Sequence, residues 1–200
     1  ASVVFTTSNG TALMGLDYSD ASQTPLTFNA NAVSRTVDVP LLDDLFAEGN
    51  ETVILGLSAP ATTAPAGGGS LGLSNAVLTI VEDDFVTLVA DGSVVVPGME
   101  SLPPGNNAPD PYETVTMKFA IKNTGNRPTA NLTAELLSSG GVLPSAGAET
   151  KTYGVVGANG GRVEQPFQFL VNSNDTITAT FKLLDGTTNL GNISFKIPLG

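Results

Sequence analysis

Asp43, Asp44, Glu48 and Glu51 put four carboxylates into nine residues of the stretch LLDDLFAEGNE, with no base among them. Two further acidic signals flank it: Asp17 in GLDY, and the triplet Glu82, Asp83, Asp84 in VEDD. Carboxylates so crowded suit three roles. As hard oxygen donors on flexible turns they can share a calcium ion, which takes six to eight oxygens. As a pair across a cleft they could work as acid and base on a glycosidic bond. As single turn residues they are simply solvated, Asp and Glu being ordinary in loops.

Other chemistry is excluded by what the chain lacks. It has no cysteine and no histidine, so disulfides, thiol chemistry and the usual transition-metal ligands are missing, and zinc, haem and Ser-His-Asp sites with them. It has no tryptophan, and Tyr18, Tyr112 and Tyr153 are scattered, which leaves no aromatic platform for a sugar and weighs against the glycosidase reading. The glycine runs AGGG and GANGG join no strand to a helix and carry no lysine, so neither is a phosphate cradle. The expectation is a protein with no catalytic residues.

The formal net charge is −11, unevenly spread. Residues 1–84 hold ten acids against the single base Arg35, a net of −9, while residues 85–200 hold nine acids and seven bases, a net of −2. Binding phosphates needs clustered Lys and Arg, so nucleic acid and anionic membrane are unsuitable partners and cations suitable ones. No apolar run approaches the roughly 18 residues of a membrane span. The opening ASVVFTTSNG has neither the basic start nor the apolar centre of a signal peptide, which is expected of a mature piece of a longer protein.

These acids need a scaffold of turns, and the sequence supplies one. Charged residues are 14% of the 200, while Gly contributes 22 and Pro 13, a composition of short strands and tight turns. SVVFTT, PLTFNA, SRTVDVPL, ETVILGLSA and NAVLTIVE predict strands before residue 84. After it, FVTLVADGSVVV, ETVTMKFAIKNTG, ANLTAELLSSG, QPFQFLVNS, DTITATFKLLDG and LGNISFKIPLG predict at least six more. In TVTMKFAIK the apolar side alternates through Val115, Met117, Phe119 and Ile121, as in a strand with one face on a core. Residues 59–70, rich in small residues, predict a long loop within the first series. The fold expected is all-β: two tandem Ig-like β-sandwich domains, residues 1–84 and 85–200, with no helix.

NGTALMGLDY, SRTVDVPLLDDLFAEGNETVILGLSAP and GGSLGLSNAVLTIVEDD, in that order, resemble a Calx-beta domain over residues 1 to about 84. The resemblance implies a calcium-binding sandwich whose acidic turns meet at one end. Carried over position by position, it nominates Asp17, Asp43, Asp44, Glu48, Glu51, Glu82, Asp83 and Asp84 as ligands of Ca²⁺. Glu82 stands where that family usually has Asp, and the family usually opens with one further strand. A strand absent from a sandwich leaves a slot and unpaired backbone, to be filled by residues upstream of Ala1 or by a neighbouring copy. Homo-oligomers or filaments, or contact with neighbouring domains of the same surface protein, are therefore expected.

ETVTM…KNTG, YG…GG…PF and the closing PLG resemble the Ig-like, CARDB-type modules of bacterial surface and secreted proteins over roughly residues 86–200. This implies a spacer or interaction module without activity of its own. Within it, GNNAPDPYE offers Asp110 and Glu113 as a second, weaker calcium loop, or Asp110 as a plain turn residue. The function expected is a calcium-stabilised extracellular or cell-surface protein segment, structural or adhesive. The alternative is an accessory, non-catalytic region of a larger secreted hydrolase.

Overall fold

The computed structural model describes residues 1–62, 69–103 and 105–200. Of the loop expected at 59–70, residues 59–61 are strand instead and residues 63–68 lie outside the described residues. Among those described, every regular element is a strand: β1 (Ser2–Asn9), β2 (Gln23–Thr27), β3 (Glu51–Ala61), β4 (Asn75–Ile80), β5 (Leu88–Glu100), β6 (Thr114–Asn123), β7 (Leu132–Leu136), β8 (Val142–Pro144), β9 (Thr150–Gly154), β10 (Gly161–Val171), β11 (Ile177–Asp185) and β12 (Thr188–Ile197). The all-β expectation, with two tandem β-sandwich units, holds. The units are Ala1–Asp83 and Asp84–Gly200.

In the second unit two four-stranded sheets, ordered β5-β6-β10-β8 and β12-β11-β7-β9, face each other. The alternation seen in the sequence decides what lies between them. Val115, Met117, Phe119 and Ile121 of β6 are buried, as are Ile177, Ala179, Phe181 and Leu183 of β11. Phe119 and Phe181 meet edge to face at 4.8 Å, and Phe167 meets Phe181 at 4.9 Å, a geometry that sets a positive ring edge against a negative face. Tyr153 is buried beside them and donates its hydroxyl to the Phe119 carbonyl at 2.9 Å; burial pushes its pKa up.

The turn after β6 is built round a buried amide. Asn123 accepts from the N–H groups of Thr87 and Gly125 and donates to the carbonyl of Arg127. At Gly125 a Cβ would stand 2.1 Å from the Phe85 carbonyl oxygen, so only glycine fits. Gly125→Ala is expected to destabilise the second unit by about 1–3 kcal/mol, the usual range for overpacking, measured as a lower urea midpoint. An unchanged midpoint contradicts this packing.

Among its described residues the first unit has one sheet, ordered β2-β1-β3-β4 and antiparallel throughout. Its inner face carries Phe5, Leu26, Val53 and Leu55. The layer opposite is not a ladder. SRTVDVPL, expected as a strand, runs beside the sheet with Val37 and Val39 half-buried and Thr36, Asp38 and Pro40 exposed, the alternation of a strand. Only a bridge from Leu41 to Tyr18 ties its end. Hydrophobic pattern thus set which side chains turn inward, whereas a ladder also needs a neighbour to accept its backbone bonds. At one end of the sheet Ala12, Tyr18 and Val53 form a small buried cluster, with Val39, Leu78 and Ile80 against it.

Candidate metal centre

Tyr18 is the anchor from which the acidic end is built. It is fully buried and donates its hydroxyl at 2.8 Å to Asn9 Oδ1, which also accepts from the Met14 N–H at 2.9 Å. That closes the turn after β1. Asp17 then sits at the rim, its backbone N–H on the Leu13 carbonyl and its Oδ2 accepting from the Leu13 N–H at 2.6 Å. The Leu42 N–H donates to the Asp17 carbonyl at 3.0 Å and the Ser19 N–H to the Pro40 carbonyl at 2.9 Å. Those two bonds lay the acidic loop beside Asp17.

Within that loop the acids divide their work. Asp44 accepts from the Phe46 N–H at 2.7 Å, an aspartate turn that shapes the loop tip. Glu82, at the end of β4, accepts from the N–H groups of Glu48 and Gly49 at 2.6 and 2.7 Å, and its own N–H donates to Asn50 Oδ1 at 3.0 Å. Gly49 has φ +82°, a left-handed conformation that glycine adopts without strain. Glu82 therefore pins the loop to the sheet through one carboxylate oxygen. Asn9 and Asn50 escaped the sequence reading as site residues, since an asparagine beside glycine or glutamate signals only a turn.

Carboxylate oxygens of Asp17, Asp44 and Glu48 come within 4.8 Å of one another, and those of Asp43 and Asp83 do likewise. Glu51, at the start of β3, lies close enough to Asp17 for the Asp17 carboxylate to raise its carboxyl. Five of the eight nominated acids, Asp17, Asp44, Glu48, Glu51 and Glu82, are thus joined in one end of the first unit. Asp84 begins the second unit, where it is buried and accepts from Asn126 Nδ2 at 3.0 Å.

Crowding is written into the protonation of this end. The Glu48 carboxyl is raised above its ordinary value first by partial desolvation and then by Asp17, Asp44 and Glu82. The Glu51 carboxyl is raised by desolvation, then by Asp17, Glu48 and Asp44. Either shift means that the folded chain binds protons more tightly than the unfolded one. The stability these two groups contribute in chelator is full near or below the ordinary value of 4.5 and falls as pH rises through the raised values. Melting curves of the chelated protein from about pH 4.5 upward test this for the first unit. A melting point that climbs across that window contradicts the crowding.

The donor set is the chemical test of what this end could hold. It is all carboxylate and carbonyl oxygen on turns, with no histidine or cysteine in the chain, which fits a hard divalent cation of the calcium class and not zinc or copper. A bound calcium would supply positive charge that cross-links the 13–17 turn to the 41–51 loop. Asp17, Asp44 and Glu48 are placed to hold it, with Glu51 beside them.

Asp110 and Glu113 are occupied differently. Glu113 is fully buried and its two oxygens accept from the N–H groups of Leu102 and Asp110 at 3.1 and 3.0 Å. Asp110 accepts from Asn106 Nδ2 at 3.0 Å. These bonds close the loop before β6, and no group of three carboxylates forms there among the described residues.

Among the solved structures similar to the chain are two of CBD12. One, CBD12 from CALX1.2, has 16% identity, covering 92% of this chain and 66% of that one, with a TM-score of 0.40. The other, the calcium binding domain CBD12 of CALX1.1, has 13% identity, covering 92% and 67%, also with a TM-score of 0.40. The chain thus spans about two thirds of their length. No curated protein sequence matches it. Residues 1–84, the stretch that carries the acidic end, match the family model of the Calx-beta domain.

Proposed function

We propose that the chain is a calcium-stabilised, non-catalytic segment of an extracellular or cell-surface protein, structural or adhesive in role. The observation that carries this reading is the convergence of Asp17, Asp44 and Glu48 within the stretch that matches the Calx-beta family model. Three carboxylates held within one ion's reach, by turns with few apolar contacts, gain most from a cation between them. Asp43 and Asp83 supply a second pair for a neighbouring ion, with Asp84 next in the chain. The Ig-like second unit, with a full aromatic core and no acidic cluster among its described residues, suits a spacer. Its neighbours are further domains of the same surface protein or further copies.

Extracellular calcium modules work at dissociation constants of about 10⁻⁴ to 10⁻³ M. Ten-fold excess calcium then stabilises the first unit by roughly 1.4 kcal/mol per ion. Melting curves in calcium and in chelator measure this, and sedimentation in both conditions reports whether copies associate. Superimposable melts with no heat of binding contradict the proposal.

A further inference from the structure

β3 and β4 pair as far as Glu51 and Ile80, and two side chains carry the pairing past that point. Glu82 Oε2 accepts from the N–H groups of Glu48 and Gly49 at 2.6 and 2.7 Å, while the Glu82 N–H donates to Asn50 Oδ1 at 3.0 Å. The clasp is reciprocal, and it holds Glu48, Gly49 and Asn50 of the acidic loop to the end of β4. Glu48 is the member that matters for an ion, because its carboxylate comes within 4.8 Å of those of Asp17 and Asp44.

Glu82 itself belongs to neither group of three carboxylates close enough to share an ion. Two successive N–H groups converge on one of its oxygens, as they do on a bound anion, and both bonds have the short length of charge-assisted ones. Side-chain length makes this possible. With the backbone as it stands, an aspartate at this position would end about 1.5 Å short, the length of one carbon–carbon bond, and out of reach of both N–H groups.

We infer that Glu82 is a positioning residue of the calcium end, holding Glu48 at the ion's place, and is not itself a calcium ligand. The inference rests on the calcium reading above and names what builds that site before the ion arrives. Part of the ordering of the acidic loop is completed on folding, and the rigidity of a site tunes its calcium affinity alongside its charge.

Two substitutions separate reach from charge. Glu82→Gln keeps an acceptor oxygen at the same reach and loses the charge, whereas Glu82→Asp keeps the charge and loses the reach. Calcium titration of the full chain by calorimetry is expected to show Glu82→Asp weakened about ten-fold or more, with Glu82→Gln binding more tightly than Glu82→Asp. A ligand gives the reverse order, since charge is what a ligand supplies. In chelator, amide hydrogen exchange followed by NMR should quicken about ten-fold or more at Glu48 and Gly49 in Glu82→Asp, the effect of losing a hydrogen bond to a charged group, and remain slower than that in Glu82→Gln. Calcium bound by Glu82→Asp as tightly as by Glu82→Gln, or exchange in Glu82→Asp equal to that of the parent, overturns the inference. Should the aspartate variant not fold, the glutamine variant decides alone: calcium binding weakened as far as by Asp44→Asn makes Glu82 a ligand. A parent that gives no calcium heat overturns the calcium reading and this inference with it, while heat in the parent with the reverse order in the variants overturns this inference alone.

Discussion

Asp44→Asn is expected to weaken calcium binding by ten-fold or more while leaving the chelated protein as stable as the parent or slightly more so. The side chain has two duties. Its Oδ1 holds the Phe46 N–H at 2.7 Å, which an asparagine amide oxygen can also do. Its negative charge adds to the repulsion that raises Glu48 and Glu51, which asparagine relieves. What asparagine cannot supply is the charge, and calcium affinity follows the charge count of the ligands. Titration and melting on one preparation separate the duties. Equal destabilisation with and without calcium would make Asp44 a loop-shaping residue alone.

A larger effect on stability is expected in the core of the second unit. Phe181→Ala should cost the second unit about 3–5 kcal/mol, the range for deleting a buried aromatic ring, out of a net stability of only about 5–15 kcal/mol. Phe181 is fully buried and touches Phe119, Phe167 and Phe195 at ring distances of 4.8, 4.9 and 5.6 Å. Three edge-to-face contacts are lost together and the cavity lies between two sheets, where neither can collapse freely. Urea unfolding of parent and variant, followed by circular dichroism, gives the number. A loss below about 1 kcal/mol would mean that the facing sheets close over the gap.

The second unit's strands were legible because burial there follows the period of two. Val115, Met117, Phe119 and Ile121 alternate in the sequence and are buried in the structure. β8, three residues long, and β9 carry too little pattern to stand out. In the first unit the same rule placed Val37 and Val39 inward but implied a ladder that the segment lacks. Periodicity reports the face, and a hydrogen-bonded partner lies outside its reach. The acidic turns were legible as a group of residue types, and the structure adds their division of labour: Glu82 pins the loop while Asp17, Asp44 and Glu48 converge. Glu113 shows the limit of residue type as evidence. An acid in a Gly-Asn-Pro loop looked like a ligand, and its oxygens close the loop by accepting backbone N–H groups. Only geometry tells a carboxylate that faces its own backbone from one that faces other carboxylates.

Calcium titration by calorimetry, on the parent chain and on Asp17→Asn and Asp44→Asn, tests the central claim most directly. The account predicts saturable heat for the parent, with a dissociation constant of about 10⁻⁴ to 10⁻³ M, and at least ten-fold weaker binding in both variants. A parent that gives no heat, or variants that bind calcium as tightly as the parent, would contradict a calcium site at the acidic end of the first unit.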